Sequence, residues 1–131
     1  MSAIDLDQFT HAYMVAALWS STDENGEPLD DVYSIDDIAP ECAAAMRASC
    51  ADFIAANAAD LAEYCEQMTC EQWSGSERAG LDFWLTRCGH GVGFWDRGLD
   101  ALGDRLTAAA KVYGNVDLYA GDDGLIYGET E

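Results

Sequence analysis

The sequence predicts a mainly α chain folded as a single domain, with about four helices followed by a C-terminal β-hairpin, an α+β arrangement. Three observations predict it. Apolar residues recur at steps of three and four over most of residues 5–113, which is the period of one helix face. After Gly114 the pattern switches to alternation around Gly121-Asp122-Asp123-Gly124, where Asp-Gly is a favoured two-residue hairpin turn. The chain has 131 residues, 50% of them hydrophobic, enough for one core.

Asp5 or Asp7 can cap a first helix running to about Ser20, with Phe9, Tyr13 and Ala16 or Ala17 on one face. STDENGEPLDDVYS then breaks the period with Gly26 and Pro28, and seven acids fall between Asp23 and Asp37, so this is an acidic loop. Ser34 and Asp37 read as a short capping box, and Pro40 suits the first turn of the next helix. There Cys42, Met46, Cys50, Ile54, Ala58, Leu61, Cys65 and Met68 form one apolar stripe, with Asp52, Asp60, Glu63 and Glu66 opposite. Asn57 marks a bend at which this stretch could divide into two helices in line, and Ser74-Gly75-Ser76 ends the unit. A third helix from about Glu77 carries Leu81, Trp84, Leu85 and Cys88 on one face, with Gly89 as its left-handed cap. A fourth, from near Trp95, places Leu99, Leu102, Leu106, Ala109 or Ala110 and Tyr113 on one face and closes at Gly114. The single domain 1–131 thus reads as an acidic half (1–72), a helix-turn-helix (76–114) and a hairpin tail (115–128).

Charge divides the chain in the same places. Twenty-five acids face six bases, for a formal net charge of −19. Met1 to Gln72 holds fifteen acids and only Arg47 as a base, Trp73 to Tyr113 holds five of each, and Gly114 to Glu131 holds five acids and no base. A surface this negative does not bind nucleic acid or anionic lipid directly, because phosphate contact relies on Lys and Arg. Phe9–Trp19, the longest uncharged apolar stretch, is shorter than the roughly 20 residues of a membrane span. No basic segment precedes an apolar run near Met1, as a secretory signal requires. Five cysteines without dense spacing suit a reducing compartment. A soluble protein of the cytoplasm is therefore expected, with no membrane partner.

The run RCGHGVGFWDRG, Arg87 to Gly98, is the one stretch that invites a chemical reading. Gly89, Gly91 and Gly93 miss the G-x-G-x-x-G register, and no P-loop lysine follows. His90 could serve as a general base with Asp96 and Arg97 as partners, the centre of a small enzyme. The structural reading is a helix–helix turn whose glycines supply unusual backbone angles while Phe94 and Trp95 plug the core. An assembly protein using this turn as an interface would instead expose Val92 and Phe94 together. Cys65, Cys70, Cys88 and His90 have poor spacing for zinc. Ser21, Asp23, Asn25 and Gly26 mimic the start of a calcium loop, but Val32 stands where the bidentate glutamate belongs. No catalytic residue is assigned, and neither a metal nor a cofactor is expected.

The acids themselves suggest a function. Carboxylates spaced one helical turn apart, as in Asp96, Asp100 and Asp104 or Asp60 with Glu63, lie about 6 Å apart along a helix axis, comparable with the spacing of successive phosphates. The acidic half is the better candidate for such a surface, because Asp96, Asp100 and Asp104 would share a helix with Arg97, Arg105 and Lys111. The expected partner-binding residues are Asp23, Glu24, Glu27, Asp30, Asp31, Asp36, Asp37, Glu41, Asp52, Asp60, Glu63 and Glu66. The alternative is that the acidity only keeps the chain soluble around another role.

Two stretches, SIDDIAPE (Ser34–Glu41) and DFWLTRCGHGVGFWDRGLDALGDRLTAAAKVYG (Asp82–Gly114), with DLYAGDDGLIYG after them, resemble a family of small acidic proteins of tailed bacteriophages and prophages. They cover about half of the chain. The family usually carries Asn at the position of Cys88, which weakens any chemical role for that thiol. The resemblance implies a setting in the host cytoplasm and supplies no site residues. In that setting the expected partner is a basic host protein such as a nuclease, a CRISPR effector or a restriction enzyme, inhibited by an acidic DNA mimic. This is an analogy of class.

Overall fold

The computed structural model describes residues 4–23, 25–68, 74–90 and 92–130. Among these residues five α-helices precede a two-stranded antiparallel hairpin: α1 (Leu6–Ser20), α2 (Pro40–Ala56), α3 (Ala58–Met68), α4 (Gly75–Arg87), α5 (Ala101–Lys111), β1 (Val116–Ala120) and β2 (Ile126–Thr130). The fold class is as the sequence predicts, with one more helix.

Asn57 makes the difference in number. Its backbone N–H and its side-chain Nδ2 both donate to the Phe53 carbonyl, at 3.1 and 2.9 Å, ending α2. Its own carbonyl accepts from Leu61, starting α3. The buried stripe passes through Asn57 at steps of three and four, from Met46, Cys50 and Phe53 to Leu61 and Tyr64. Met46, Cys50, Leu61 and Cys65 are buried as expected, but Ala58 is exposed, and Phe53 and Tyr64, outside the expected stripe, are fully buried.

Local chemistry sets the other boundaries. Asp5 caps α1 by accepting from the Gln8 N–H at 3.0 Å, and Phe9, Tyr13, Ala16 and Ala17 are all buried. The acidic loop is closed by a bridge between Thr22 and Pro28. It contains two 3-10 turns, Leu29–Asp31 and Ile35–Asp37, the second carrying the Ser34–Asp37 capping box. Pro40 opens α2. A full capping box of Ser74 and Glu77 starts α4. At the far end of α4, Gly89 (φ +72°) and His90 donate to the Thr86 and Leu85 carbonyls, the paired bonds of a Schellman cap.

The core is aromatic and centres on α4, which packs against α1, α3 and α5. Phe83 stacks on Phe53 with ring centroids 4.1 Å apart, and Phe9, Tyr13 and Phe94 close around them. Such pairs contribute about 0.5–1.5 kcal/mol each beyond simple burial.

Two expectations need correction. The fourth predicted helix does not start near Trp95. Phe94–Asp96 is a separate 3-10 turn, and the left-handed backbone of Gly98 and Asp100 delays α5 to Ala101. The hairpin loop is also longer than two residues. Gly121 and Leu125 close it at 2.8 Å, a turn bond joins Gly124 to Gly121 at 3.1 Å, and Gly124 sits at φ +80°. This is a type I turn followed by a left-handed residue. The hairpin docks on the segment leading into α2 through a bridge between Ile126 and Ile38, with Leu118 and Ile126 buried.

Candidate functional site

Among the described residues, the bases are largely occupied within the fold. Arg47 pairs with Asp7 at 2.8 Å, Arg97 with Asp82 at 2.6 Å and Arg105 with Asp60 at 3.0 Å. Arg87 is buried and donates to the carbonyls of Tyr113 and Gly114 at the C-terminal end of α5, a placement the helix dipole favours. Lys111 is exposed on the last turn of α5.

The expected partner-binding acids fall into two sets. Asp23, Glu27, Asp30, Asp31, Asp36, Asp37 and Glu41 occupy the loop, its 3-10 turns and the first turn of α2, and no Lys or Arg precedes Arg47 in the sequence. Glu24 lies outside the described residues. Asp52, near the end of α2, is about 16 Å along the helix axis from Glu41, and Asp60, Glu63 and Glu66 follow on α3. The 3-10 turns pack against α1, whereas α3 packs against α4 and α5.

Several of these carboxylates serve the fold. Asp23 accepts from the Asn25 and Glu27 N–H groups, which accounts for the calcium-like spacing by a self-capped turn. Asp37 holds its capping box. Asp52 accepts from the Tyr113 hydroxyl at 2.5 Å, and the Tyr113 phenol is pushed up to about 12, by burial first and this bond second. Asp60 takes both Nε and Nη2 of Arg105. Glu63 accepts from Gln67 one turn along. Glu27, Asp30, Asp31, Asp36, Glu41 and Glu66 are exposed.

The glycine run folds as a brace. Thr86 Oγ1 accepts the buried Phe94 N–H at 3.1 Å. Arg97 reaches back to Asp82, which also accepts from the Tyr64 hydroxyl at 2.5 Å. Burial, followed by the nearby Asp82 charge, pushes the Tyr64 phenol well above its usual range. Arg97 is therefore committed to the interior and does not face a site with His90. Phe94 plugs the core, but Trp95 is 48% exposed, contrary to expectation. Val92 is exposed while Phe94 is fully buried, so the paired exposure required of an assembly interface is not met. Asp96, Asp100 and Asp104 do not share one helix, since only Asp104 lies within α5. The turn-spaced ladder expected of them is broken.

His90 is half-buried and borders a polar cleft of about 250 Å³ with Ser20, Ser21, Thr22, Asn115 and Asp117. The sequence gives no signal for this grouping, because the residues come from three distant segments. Among the described residues no group of three His, Cys, Asp or Glu side chains is placed to hold a metal. Cys70 lies outside the described residues, and Cys65 is buried against Gly75. No described helix is long and apolar enough to cross a membrane. Comparisons with models of known protein families, with curated proteins and with solved structures found no match to this chain.

Proposed function

We propose that this chain is a phage-encoded accessory protein that binds a basic, nucleic-acid-handling host protein and occludes its groove. It would act as an acidic inhibitor and DNA mimic in counter-defence such as anti-restriction or anti-CRISPR. The observation that carries the reading is the base-free acidic stretch from Asp23 to Glu41, whose exposed members include Glu27, Asp30, Asp31, Asp36 and Glu41. Burial of Arg87 and half-burial of Arg97 within the fold, and the surface pairing of Arg47 with Asp7 and of Arg105 with Asp60, support it, because these cations already have partners outside the stretch from Asp23 to Glu41. The resemblance of Ser34–Glu41 and Asp82–Gly114 to phage proteins supplies the setting. Inhibition is competitive. Steering by opposite charge gives fast association that weakens steeply with salt.

The test is capture of partners from a host lysate at low and at high salt. Asp30→Lys, Asp31→Lys and Asp36→Lys are combined, and Asp37 is kept because it caps its own turn. Wild type should retain a basic nucleic-acid-binding protein at low salt only, and the triple variant should lose it with its helical content unchanged. Equal capture by the two proteins would rule out this surface.

A small enzyme at the His90 turn is the second reading, favoured by the polar cleft that His90 borders. It predicts that His90→Ala abolishes turnover of some substrate while thermal stability stays at the wild-type value.

A further inference from the structure

Between α2 and the hairpin lies a second cleft, of about 240 Å³, with Arg87 and Tyr13 among its lining residues. Arg87 is only 7% exposed, yet no carboxylate pairs with it among the described residues. Its Nε donates to the Gly114 carbonyl at 2.8 Å, Nη2 to the Tyr113 carbonyl at 2.7 Å and Nη1 to the Tyr13 hydroxyl at 3.2 Å. Its charge is felt by the Tyr13 and Tyr113 phenols and the Cys50 and Cys88 thiols, and its Cζ lies 5.7 and 5.5 Å from the centres of the Phe83 and Tyr113 rings. A buried charge is costly unless an opposite charge or a full set of hydrogen bonds compensates it. A guanidinium has five N–H donors, so three bonds leave one hydrogen on each terminal nitrogen. Two such hydrogens match the two oxygens of a carboxylate.

The rest of the cleft limits the ligand. Met46, Tyr119 and Tyr127 offer apolar and aromatic surface. The volume lies just below the 300–1,000 Å³ of drug-sized sites, which suits roughly ten to twelve non-hydrogen atoms. Glu41 also lines the cleft and is exposed, so its charge opposes a dianion such as a phosphate monoester more than a single carboxylate. We infer that this cleft binds a small monocarboxylate with an apolar or aromatic body, its carboxylate on Arg87 and its body between Met46 of α2 and the hairpin tyrosines.

The probe is 3-phenylpropionate, titrated into the isotope-labelled full chain and followed by amide NMR shifts, with 3-phenylpropionamide as the neutral control. Saturable shifts should concentrate at Ala45, Met46, Ser49 and Gly128, with the amide binding about tenfold more weakly, the effect of losing a charge-assisted hydrogen bond. Glu41→Gln should tighten binding. Ala45→Trp changes an exposed cleft residue and should block binding with the fold retained, so the result does not depend on an Arg87 variant folding. Added salt should strengthen binding by screening the net negative charge, the reverse of its effect on a basic partner. Acid and amide binding equally, or shifts scattered over the surface, or no saturation at these residues, would each overturn the inference.

Discussion

Arg97 grips Asp82 across fifteen residues, donating from Nε at 3.1–3.2 Å and from Nη2 at 2.6 Å, while the Asp82 side chain is 1% exposed and Arg97 20%. The bond ties the middle of α4 to the 3-10 turn beyond the glycines. Removing one member leaves the other buried without its counter-charge. Arg97→Ala should therefore lower unfolding free energy by about 3–5 kcal/mol, measured by urea denaturation. Asp82→Asn combined with Arg97→Gln should cost less than the sum of the single changes.

A smaller loss is expected one turn along α4. Thr86→Val keeps the shape of the side chain but removes the acceptor for the buried Phe94 N–H. The expected cost is about 1–3 kcal/mol, and Thr86→Ser, which keeps the hydroxyl, should recover most of it. Equal denaturation midpoints for Thr86→Val and wild type would show that this bond does not hold the turn.

Stability should fall on the alkaline side. Burial pushes the Cys50 thiol up from 9.0 to about 12, and it raises the Tyr13 and Tyr64 phenols as well. Above about pH 9 the unfolded chain gives up protons that the folded chain keeps, so unfolding becomes easier as pH rises. Below that pH the contribution is fully present. Urea midpoints between about pH 7 and pH 11 should decline, and Cys50→Ala should make the decline shallower without abolishing it, since burial also raises the Cys42, Cys65 and Cys88 thiols.

Asp100 is the one non-glycine residue among those described with positive φ, at φ +55° and ψ −126°. Its side chain makes no capping bond to α5. Backbone of this kind costs about 1–3 kcal/mol for a residue with a Cβ. Asp100→Gly should therefore raise stability by about 1 kcal/mol, once the loss of a helpful charge at the helix N-terminus is deducted. A lower melting temperature for the variant would contradict this.

The helix faces of α1 and α5, the Ser34 box and the Gly89 cap were legible in the sequence because each depends on neighbours within one or two turns. Asp82 was not. It reads as one more acid in a neutral segment, and only the approach of Tyr64 and Arg97 from other elements makes it a buried charge. Phe53 and Tyr64 were missed because each adjoins an apolar residue, Ile54 or Cys65, that fits a helical step equally well, and only packing on Phe83 and Phe94 turns the two rings inward. The acidic loop was legible by composition, but the division of its carboxylates between capping and exposure depends on hydrogen bonds that spacing does not reveal. The Arg87 cleft left no sequence signal, since α2, α4 and the hairpin each contribute part of it.

The position of α4, enclosed by α1, α3 and α5, sets how the molecule breathes. Ten of its thirteen residues are buried, so the amides beyond its first turn should trade hydrogen for deuterium only when the whole chain opens. The hairpin is a two-stranded element too small to persist alone and is anchored at Ile126, so it can detach as a separate unit. A protease would accordingly trim the C-terminal strands long before it reached the aromatic centre.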